Sequence, residues 1–232
     1  WMAAQSAWNP EELHGRPCYG GLDLSSKTDL SAFVLAFPPT GDGNVWRLLP
    51  WYFTPEDGVQ DRGRQARAPY EQWVADGHIT TNEGNRIDQE VIKRTILAAA
   101  RVYDIQSIGF DPWNIGKLAT DLTEELGEDG IVEIPQTITH LSEPCKEFEA
   151  EVAAGRMDAG GHPVLAWNAA NIVVQRDAND NIRPTKDPKK SRGRIDGIVA
   201  AIMALKLARM DDDHESPYTA DRGLQFLELG GL

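Results

Sequence analysis

Hydrophobic residues in the first quarter of the chain fall into three short runs of strand length. Residues 18–25, 30–37 and 45–53 are rich in aliphatic and aromatic side chains, and Pro-Pro and Gly-Asp-Gly turns at 38–39 and 41–43 separate the second run from the third. Apolar runs of this length, bounded by Gly and Pro, are typical of buried strands. Because the connections are short, the pattern predicts an antiparallel meander at the start of the fold.

Beyond residue 55 the apolar positions take up helical spacing, and later runs alternate between the two patterns. Helices are predicted over residues 63–76, 88–103, 114–126, 143–154 and 195–210. Strands are predicted at 105–110 and 131–134, a helix-to-strand transition at 164–174 and a hairpin tip at 177–181. The sequence therefore predicts an α/β fold with a mixed sheet flanked by helices, in which the first strand is central and strand 105–110 is its parallel neighbour.

Composition favours one large domain and excludes several kinds of site. The chain has 232 residues, of which 41% are apolar, and seven are Trp. No apolar stretch approaches the roughly 18–20 residues needed to cross a bilayer, so no membrane partner is expected. Cys18 and Cys145 are isolated, which argues against a zinc site or a disulfide framework and for a reduced, cytoplasmic setting. The five His are scattered, and no GxxxxGK[ST] phosphate-binding loop is present.

Three aspartates carry the candidate chemistry. Asp23 and Asp111 end strand-like apolar segments, and Asp196 opens the last apolar helix. Carboxylates embedded in core-forming segments are costly unless a positive charge lies between them, and hard divalent cations prefer oxygen ligands. Two Mg²⁺ or Mn²⁺ ions about 4 Å apart could be held by such a trio, one to activate water and one to stabilise the leaving oxygen. The sequence predicts a phosphodiester-cleaving metal site with these residues as ligands.

Each aspartate also has a purely structural interpretation. Asp23 can end its strand and begin a turn, Asp111 can cap the helix that follows Pro112, and Asp196 can interact with the dipole of its helix. These interpretations stay open on the sequence alone. Trp113, two residues after Asp111, is predicted to pack in the core rather than to serve as a platform for a nucleic-acid base.

The formal net charge of −13 is unusual for a protein that binds nucleic acid, but the charges are unevenly placed. Acids collect at 124–129 and 211–213, whereas a basic run precedes Asp196. Such a run can bring a phosphate backbone to a metal site, although a solvated surface loop is the alternative. The residues predicted to bind DNA or to support the transition state are Lys186, Lys189, Lys190, Arg192 and Arg194.

A linked set of motifs resembles the nuclease domain of tailed-bacteriophage terminase large subunits, the catalytic subunits of DNA-packaging motors. The motifs are GLDLSSKTDLSA at 21–32, FDPW at 110–113, NAANIVVQRD at 168–177 and RIDGIVAAIMA at 194–204, with Lys186 between the last two. The likeness spans about residues 18 to 208, and the set is far more specific than any one motif.

This resemblance implies a ribonuclease H-like fold in which Asp23, Asp111 and Asp196 bind two divalent metals and cut double-stranded DNA. It also implies an upstream ATPase domain in the same polypeptide, a portal protein and a small terminase subunit as partners, and the host cell cytoplasm as location. Residues 1–17 are then a lead-in from the ATPase, 18–210 the nuclease domain and 211–232 an acidic tail. Some relatives carry an extra His or acid near the third aspartate, where this chain has Gly193.

Two other functions are compatible with the sequence. A junction-resolvase or transposase-like nuclease on the same scaffold would prefer branched DNA or DNA ends and would work without an upstream motor. A non-cleaving docking module of the packaging motor would use the acidic surface to bind a protein partner.

Overall fold

The computed structural model describes residues 8–25, 29–41, 43–190 and 193–214. Predictions that concern residues 1–7, Arg192 and the tail beyond 214 lie outside these ranges, and so does the side chain of Lys190. The last helix continues to His214, past the predicted start of the tail at residue 211. The domain boundaries stay a prediction.

Strands and helices alternate much as predicted along the chain. The strands are β1 (Pro17–Asp23), β2 (Ser31–Phe37), β3 (Trp46–Pro55), β4 (Thr80–Asn82), β5 (Asp104–Phe110), β6 (Ile131–Glu133), β7 (Met157–Asp158), β8 (Ile172–Arg176) and β9 (Ile182–Lys186). The α-helices are α1 (Val59–Ala66), α2 (Tyr70–Ala75), α3 (Gln89–Ala100), α4 (Pro112–Ile115), α5 (Lys117–Leu126), α6 (Ile138–Ala153), α7 (Pro163–Asn171) and α8 (Asp196–His214). Short 3-10 helices cover Pro10–Leu13, Glu128–Gly130 and Pro188–Lys190.

Seven strands form one mixed sheet in the order β4-β3-β2-β1-β5-β6, with β7 paired to β3. β1, β2 and β3 are antiparallel, which confirms the predicted meander, and β1 pairs in parallel with β5. The first strand is therefore central, as predicted. β8 and β9 form a separate antiparallel hairpin whose turn, at 177–181, is also where the sequence placed it.

Two predicted helices are each divided in the structure. The helix predicted over 63–76 is α1 followed by α2, because Arg67 has a positive φ of 52° and Pro69 follows it. Neither feature is compatible with a continuous helix. The helix predicted over 114–126 is α4 followed by α5, divided at Gly116 with φ 44°.

Helix α6 begins five residues before the predicted start at residue 143, and Pro144 lies inside it. Thr137 caps the helix by accepting a hydrogen bond from the backbone N–H of His140. Proline has no N–H to donate to the carbonyl oxygen four residues earlier, which belongs to His140. The ammonium group of Lys206, on α8, donates to that oxygen at 3.1 Å instead. A contact from a distant helix therefore satisfies the carbonyl oxygen that Pro144 leaves without its usual donor.

The sheet separates two hydrophobic cores. One lies between the sheet and α3 and α5, and the other between the sheet and α8, α6 and α7. Helix α8 is apolar on nearly all sides, from Ile198 to Leu205, because the sheet covers one side and α6 and α7 cover others. Within the described residues, no helix combines the length and apolar character needed to span a bilayer.

Glycines on the two central strands let α8 lie directly against the sheet. A Cβ atom added at Gly21 of β1 would clash with the backbone carbonyl of Ala200 on α8. One added at Gly109 of β5 would come within 3.3 Å of Leu207, also on α8. Since side chains alternate along a strand, positions 19, 21 and 23 of β1 and position 109 of β5 face this helix.

We expect Gly21→Ala to lower the free energy of unfolding by about 1–3 kcal/mol, because the added methyl group displaces the α8 backbone. Gly43→Ala is the matched control, since Gly43 is exposed and its added Cβ would lie 3.4 Å from the nearest atom. Urea unfolding of both variants beside the parent measures the difference. Equal stabilities for the two variants would contradict the close approach of α8 to β1.

Candidate metal centre

Asp23 and Asp111 end neighbouring strands at the same edge of the sheet. β1 and β5 are parallel, with Leu22 opposite Phe110, so the next residue of each strand is one of the two aspartates. Asp111 keeps an extended backbone, with φ −82° and ψ 122°. Alternation therefore directs both side chains to the face of the sheet that α8 covers.

Asp196 is brought to the same place by the direction of α8. The helix runs back along β1, with Ala200 against Gly21 and the hydroxyl of Tyr19 donating a hydrogen bond to Asp211. The first turn of α8 therefore lies at the carboxyl end of β1, where Asp23 is. The side chain of Asp196 is buried, with the residue only 9% exposed.

The charge of Asp23 is strongly disfavoured in this position. Burial, and then repulsion from Asp196, raises the pKa of Asp23 to about 8. Repulsion from Asp111 adds to this, whereas a hydrogen bond from Gln136 and the positive charge of Lys186 act against it. The charges of Asp196, Asp111 and Lys186 are thus all close enough to change the pKa of Asp23.

The pKa of Asp196 is also subject to two opposing effects, burial and nearby positive charge. Burial raises its pKa, and the positive charges of Lys186 and Arg194 act against that shift. Its Oδ2 atom is buried and accepts no hydrogen bond from the described residues. A buried carboxylate oxygen without a partner, beside a second acid, is an arrangement that a cation would stabilise.

The three carboxylates are neighbours but do not form a finished coordination sphere. Asp23 Oδ1 accepts a hydrogen bond of 3.2 Å from Gln136, and Asp111 Oδ1 accepts one of 3.2 Å from the backbone N–H of Trp113. No group of three or more His, Cys, Asp or Glu side chains in the described part of the chain is spaced to hold a metal ion. Asp111 does perform the helix-capping role that the sequence left open.

A buried amide supports the backbone next to Asp196. Asn168, on α7, accepts hydrogen bonds at its Oδ1 from the backbone N–H of Gly197 at 2.8 Å and from the hydroxyl of Tyr52 at 3.2 Å. A side chain at Gly197 would collide with that hydroxyl. Asn168, Tyr52 and Gly197 therefore set the position of the first turn of α8 and of the carboxylate it carries.

The segment before Asp196 is also held by side chains from other elements. Arg194 forms an ion pair with Asp29, and its backbone carbonyl accepts a hydrogen bond of 3.3 Å from Asn171. A Cβ atom at Gly193 would lie 2.6 Å from the side chain of Asn171. Because there is no room for a side chain at position 193, an additional ligand cannot be placed there.

The predicted basic residues occupy different environments. Lys186, at the end of β9, and Arg194 are half-buried, and the positive charges of both act against the rise in the pKa of Asp196. Lys189 is exposed on the adjoining 3-10 helix. Arg192 and the side chain of Lys190 lie outside the described residues. Among the described side chains of the basic run, Lys186 and Arg194 are those whose charges act on the aspartates.

The structure corrects the prediction for Trp113 and adds residues that the sequence did not indicate. Trp113 is 87% exposed instead of packed in the core, because it projects from a helix of only four residues at the sheet edge. Gln136 and Tyr52 carry no local signal, since their partners Asp23 and Asn168 are more than 100 positions away in the sequence. The available clue was a pair of polar residues, Asn168 and Asn171, within the otherwise apolar helix α7.

Comparison with known proteins places the chain in a family. A family model described as the endonuclease domain of the terminase large subunit matches residues 2–212. The chain belongs to this family.

It is 34% identical over 194 residues to the terminase large subunit of Enterobacteria phage HK97, a match that covers 83% of this chain and 38% of the phage protein. It is 28% identical over 214 residues to protein YmfN of Escherichia coli strain K12, covering 89% and 46% respectively. The chain thus spans less than half the length of either relative.

Solved structures of terminases share the fold of this endonuclease domain. The crystal structure of the HK97 large terminase has a TM-score of 0.77 at 32% identity, covering 89% of this chain and 41% of that one. The large terminase nuclease of thermophilic phage G20c with bound magnesium has a TM-score of 0.51 at 13% identity, covering 87% and 84%. These matches confirm the ribonuclease H-like α/β fold with a mixed sheet flanked by helices.

In the metal-free protein, we expect Asp23→Asn to change how stability depends on pH. Asp23 holds its proton more tightly when folded, with a pKa of about 8, than when unfolded, with a pKa of about 3.9. Its contribution to the free energy of unfolding therefore falls as pH rises between these values, by up to about 1.4 kcal/mol per pH unit. The asparagine variant lacks this fall and should exceed the parent in stability at pH 8.

Urea unfolding in the presence of a chelator, at pH values from 5 to 8, measures the effect. Asp88→Asn is the control, because Asp88 caps α3 away from the three aspartates. Parallel stability profiles for the parent and Asp23→Asn would show that folding does not raise the pKa of Asp23.

Proposed function

We propose that this domain cuts double-stranded viral DNA during genome packaging by metal-dependent hydrolysis of phosphodiester bonds. The observation that carries the proposal is the convergence of Asp23, Asp111 and Asp196, from two strands and a helix, at one site where burial and the charges of Asp196 and Asp111 raise the pKa of Asp23. An uncompensated cluster of this kind destabilises a fold, and membership of the terminase endonuclease family supplies a reason for keeping it.

By the chemistry of its ligands the donor set fits two Mg²⁺ or Mn²⁺ ions, although the three side chains are not spaced as metal ligands in this structure. All three side chains offer carboxylate oxygens, the ligands these ions prefer, and Asp196 Oδ2 is buried without a hydrogen-bond partner among the described residues. The related nuclease of phage G20c has been crystallised with magnesium and with cobalt. When bound, such ions supply an activated water and stabilise the leaving oxygen.

The residues around the aspartates have separate roles in this proposal. Gln136 orients Asp23, and Asn168 orients Asp196 through the backbone of Gly197. Lys186 and Arg194 supply positive charge against the additional negative charge of the phosphoryl transition state. The ion pair with Asp29 holds Arg194 beside the first turn of α8.

We also propose the wider setting in which the domain works. The HK97 relative is a complete terminase large subunit, and the match covers 38% of it. In this setting, an ATPase domain upstream in the same polypeptide delivers DNA, a portal protein and a small terminase subunit are partners, and the motor assembles in the host cytoplasm.

Plasmid cleavage tests the catalytic role of the aspartates. We expect the parent chain to nick or linearise supercoiled plasmid with Mn²⁺ or Mg²⁺. The variants Asp23→Asn, Asp111→Asn and Asp196→Asn should each lose more than about 100-fold of this activity, because each substitution removes a charged metal ligand. Asp88→Asn is the matched control for Asp111→Asn. Both aspartates cap a helix, and asparagine is an equally good cap.

Two results would contradict the proposal. One is plasmid left intact by the folded parent chain with either metal, and the other is cleavage by the three variants at the parent rate. Activity confined to four-way junctions or DNA ends would favour the resolvase-like function instead.

Binding of duplex DNA at several salt concentrations tests the basic run. We expect the combined variant Lys189→Gln, Lys190→Gln, Arg192→Gln to reduce the slope of log affinity against log salt by about 3, because each phosphate contact contributes about 0.9. Arg101→Gln is the control, since Arg101 is exposed at the opposite, amino end of β5. An unchanged slope in the combined variant would remove this stretch from the path of the DNA.

A further inference from the structure

Trp113 is the most exposed large hydrophobic side chain in the described part of the chain. It is 87% exposed, whereas Trp46 and Trp73 are buried and Trp8, Trp51 and Trp167 are partly buried. Tryptophan is costly to hold in water over most of its surface, and an indole at a surface often marks a binding site.

The fold holds this indole outward by contacts on both sides of its short helix. Asp111 accepts a hydrogen bond from the backbone N–H of Trp113, and Pro112 occupies the first position of α4. Ile115, at the other end of α4, is buried in the core that lies between the sheet and α3 and α5. Gly116 then ends the helix with φ 44°. The exposure of Trp113 is therefore a consequence of anchored backbone on either side.

The position of Trp113 links it to the candidate metal centre. Its backbone nitrogen lies 3.2 Å from Asp111 Oδ1, so the backbone of this residue is hydrogen-bonded to one of the three carboxylates. The other exposed large hydrophobic residues described, Val102, Val174 and Met210, make no such contact with an aspartate of the centre. Because neighbouring nucleotides of a strand are about 3.4 Å apart along the helix axis, a residue this close to Asp111 is within reach of the nucleotide next to a phosphate bound at the centre.

We propose that Trp113 is a DNA-contact residue that packs its indole on the sugar or base of the nucleotide adjoining the phosphate to be cut. This inference rests on the proposed nuclease function. Aromatic packing on nucleotides is independent of sequence, because every nucleotide presents a flat base and an apolar sugar face. Trp113 thereby supplies short-range positioning of the strand in a protein whose overall charge of −13 repels DNA at long range.

Binding measurements in a non-cleaving background test the contact. In Asp23→Asn chain with Mg²⁺ and a fluorescein-labelled duplex, Trp113→Ala should weaken binding about tenfold or more, and Trp113→Phe should retain most of the affinity. The slope of affinity against salt should not change, because no phosphate contact is lost. Lys189→Gln should instead reduce the slope, and Met210→Ala should change neither quantity.

Intrinsic fluorescence provides a direct readout. The difference in emission between the parent and Trp113→Phe reports the fluorescence of Trp113. Acrylamide should quench this fluorescence readily, and bound duplex DNA should protect it from quenching. Unchanged affinity for Trp113→Ala, or quenching that duplex DNA does not reduce, would overturn the inference. A defect of Trp113→Ala confined to ATPase coupling in the full-length protein would also overturn it and assign the surface to a domain interface.

The two proposals fail in different ways. Metal-dependent cleavage that depends on the aspartates, with DNA affinity unaffected by Trp113→Ala, would leave the nuclease function in place and remove the contact. No cleavage by the parent, with DNA still protecting Trp113, would remove the nuclease function and support binding of DNA at this residue.

Discussion

The close approach of helix α8 to strand β1 is the constraint on which the rest of the structure depends. Gly21 allows the helix backbone at Ala200 to touch the strand, so at this point no side chain separates α8 from the sheet. The direction of the helix then places Asp196 at the carboxyl end of β1, beside Asp23. Any larger residue at position 21 would move the third aspartate away from the other two.

This geometry has an electrostatic cost that the surrounding residues reduce only in part. The amino end of a helix favours a carboxylate, and Lys186 and Arg194 add positive charge near Asp196. Burial nevertheless dominates, because the pKa values of both Asp23 and Asp196 are raised. In the proposed function a cation would bind the folded arrangement and not the unfolded chain, so metal binding would stabilise the fold.

The sequence predicted those parts of the structure that depend on local pattern. Apolar runs and turns indicated the meander, the central position of β1 and its parallel pairing with β5, and the family motifs indicated the fold. The role of the three aspartates as metal ligands stays a prediction. What it could not predict depends on contacts between distant segments, such as Gln136 with Asp23 or Lys206 with the carbonyl of His140. The exposure of Trp113 was wrongly predicted because aromatic content alone does not reveal that α4 ends after a single turn at Gly116.

The candidate centre combines two parts that are held by different forces. Asp23 and Asp111 are fixed by the hydrogen-bonded register of β1 and β5, which cannot shift without moving the whole sheet. Asp196 depends on a helix start supported by the side chain of Asn168 and by the ion pair between Arg194 and Asp29. A few side-chain contacts are easier to rearrange than a ladder of backbone hydrogen bonds. Adjustment to a metal ion or a phosphate is therefore expected at the helix, while the sheet edge stays in place as the fixed part of the centre.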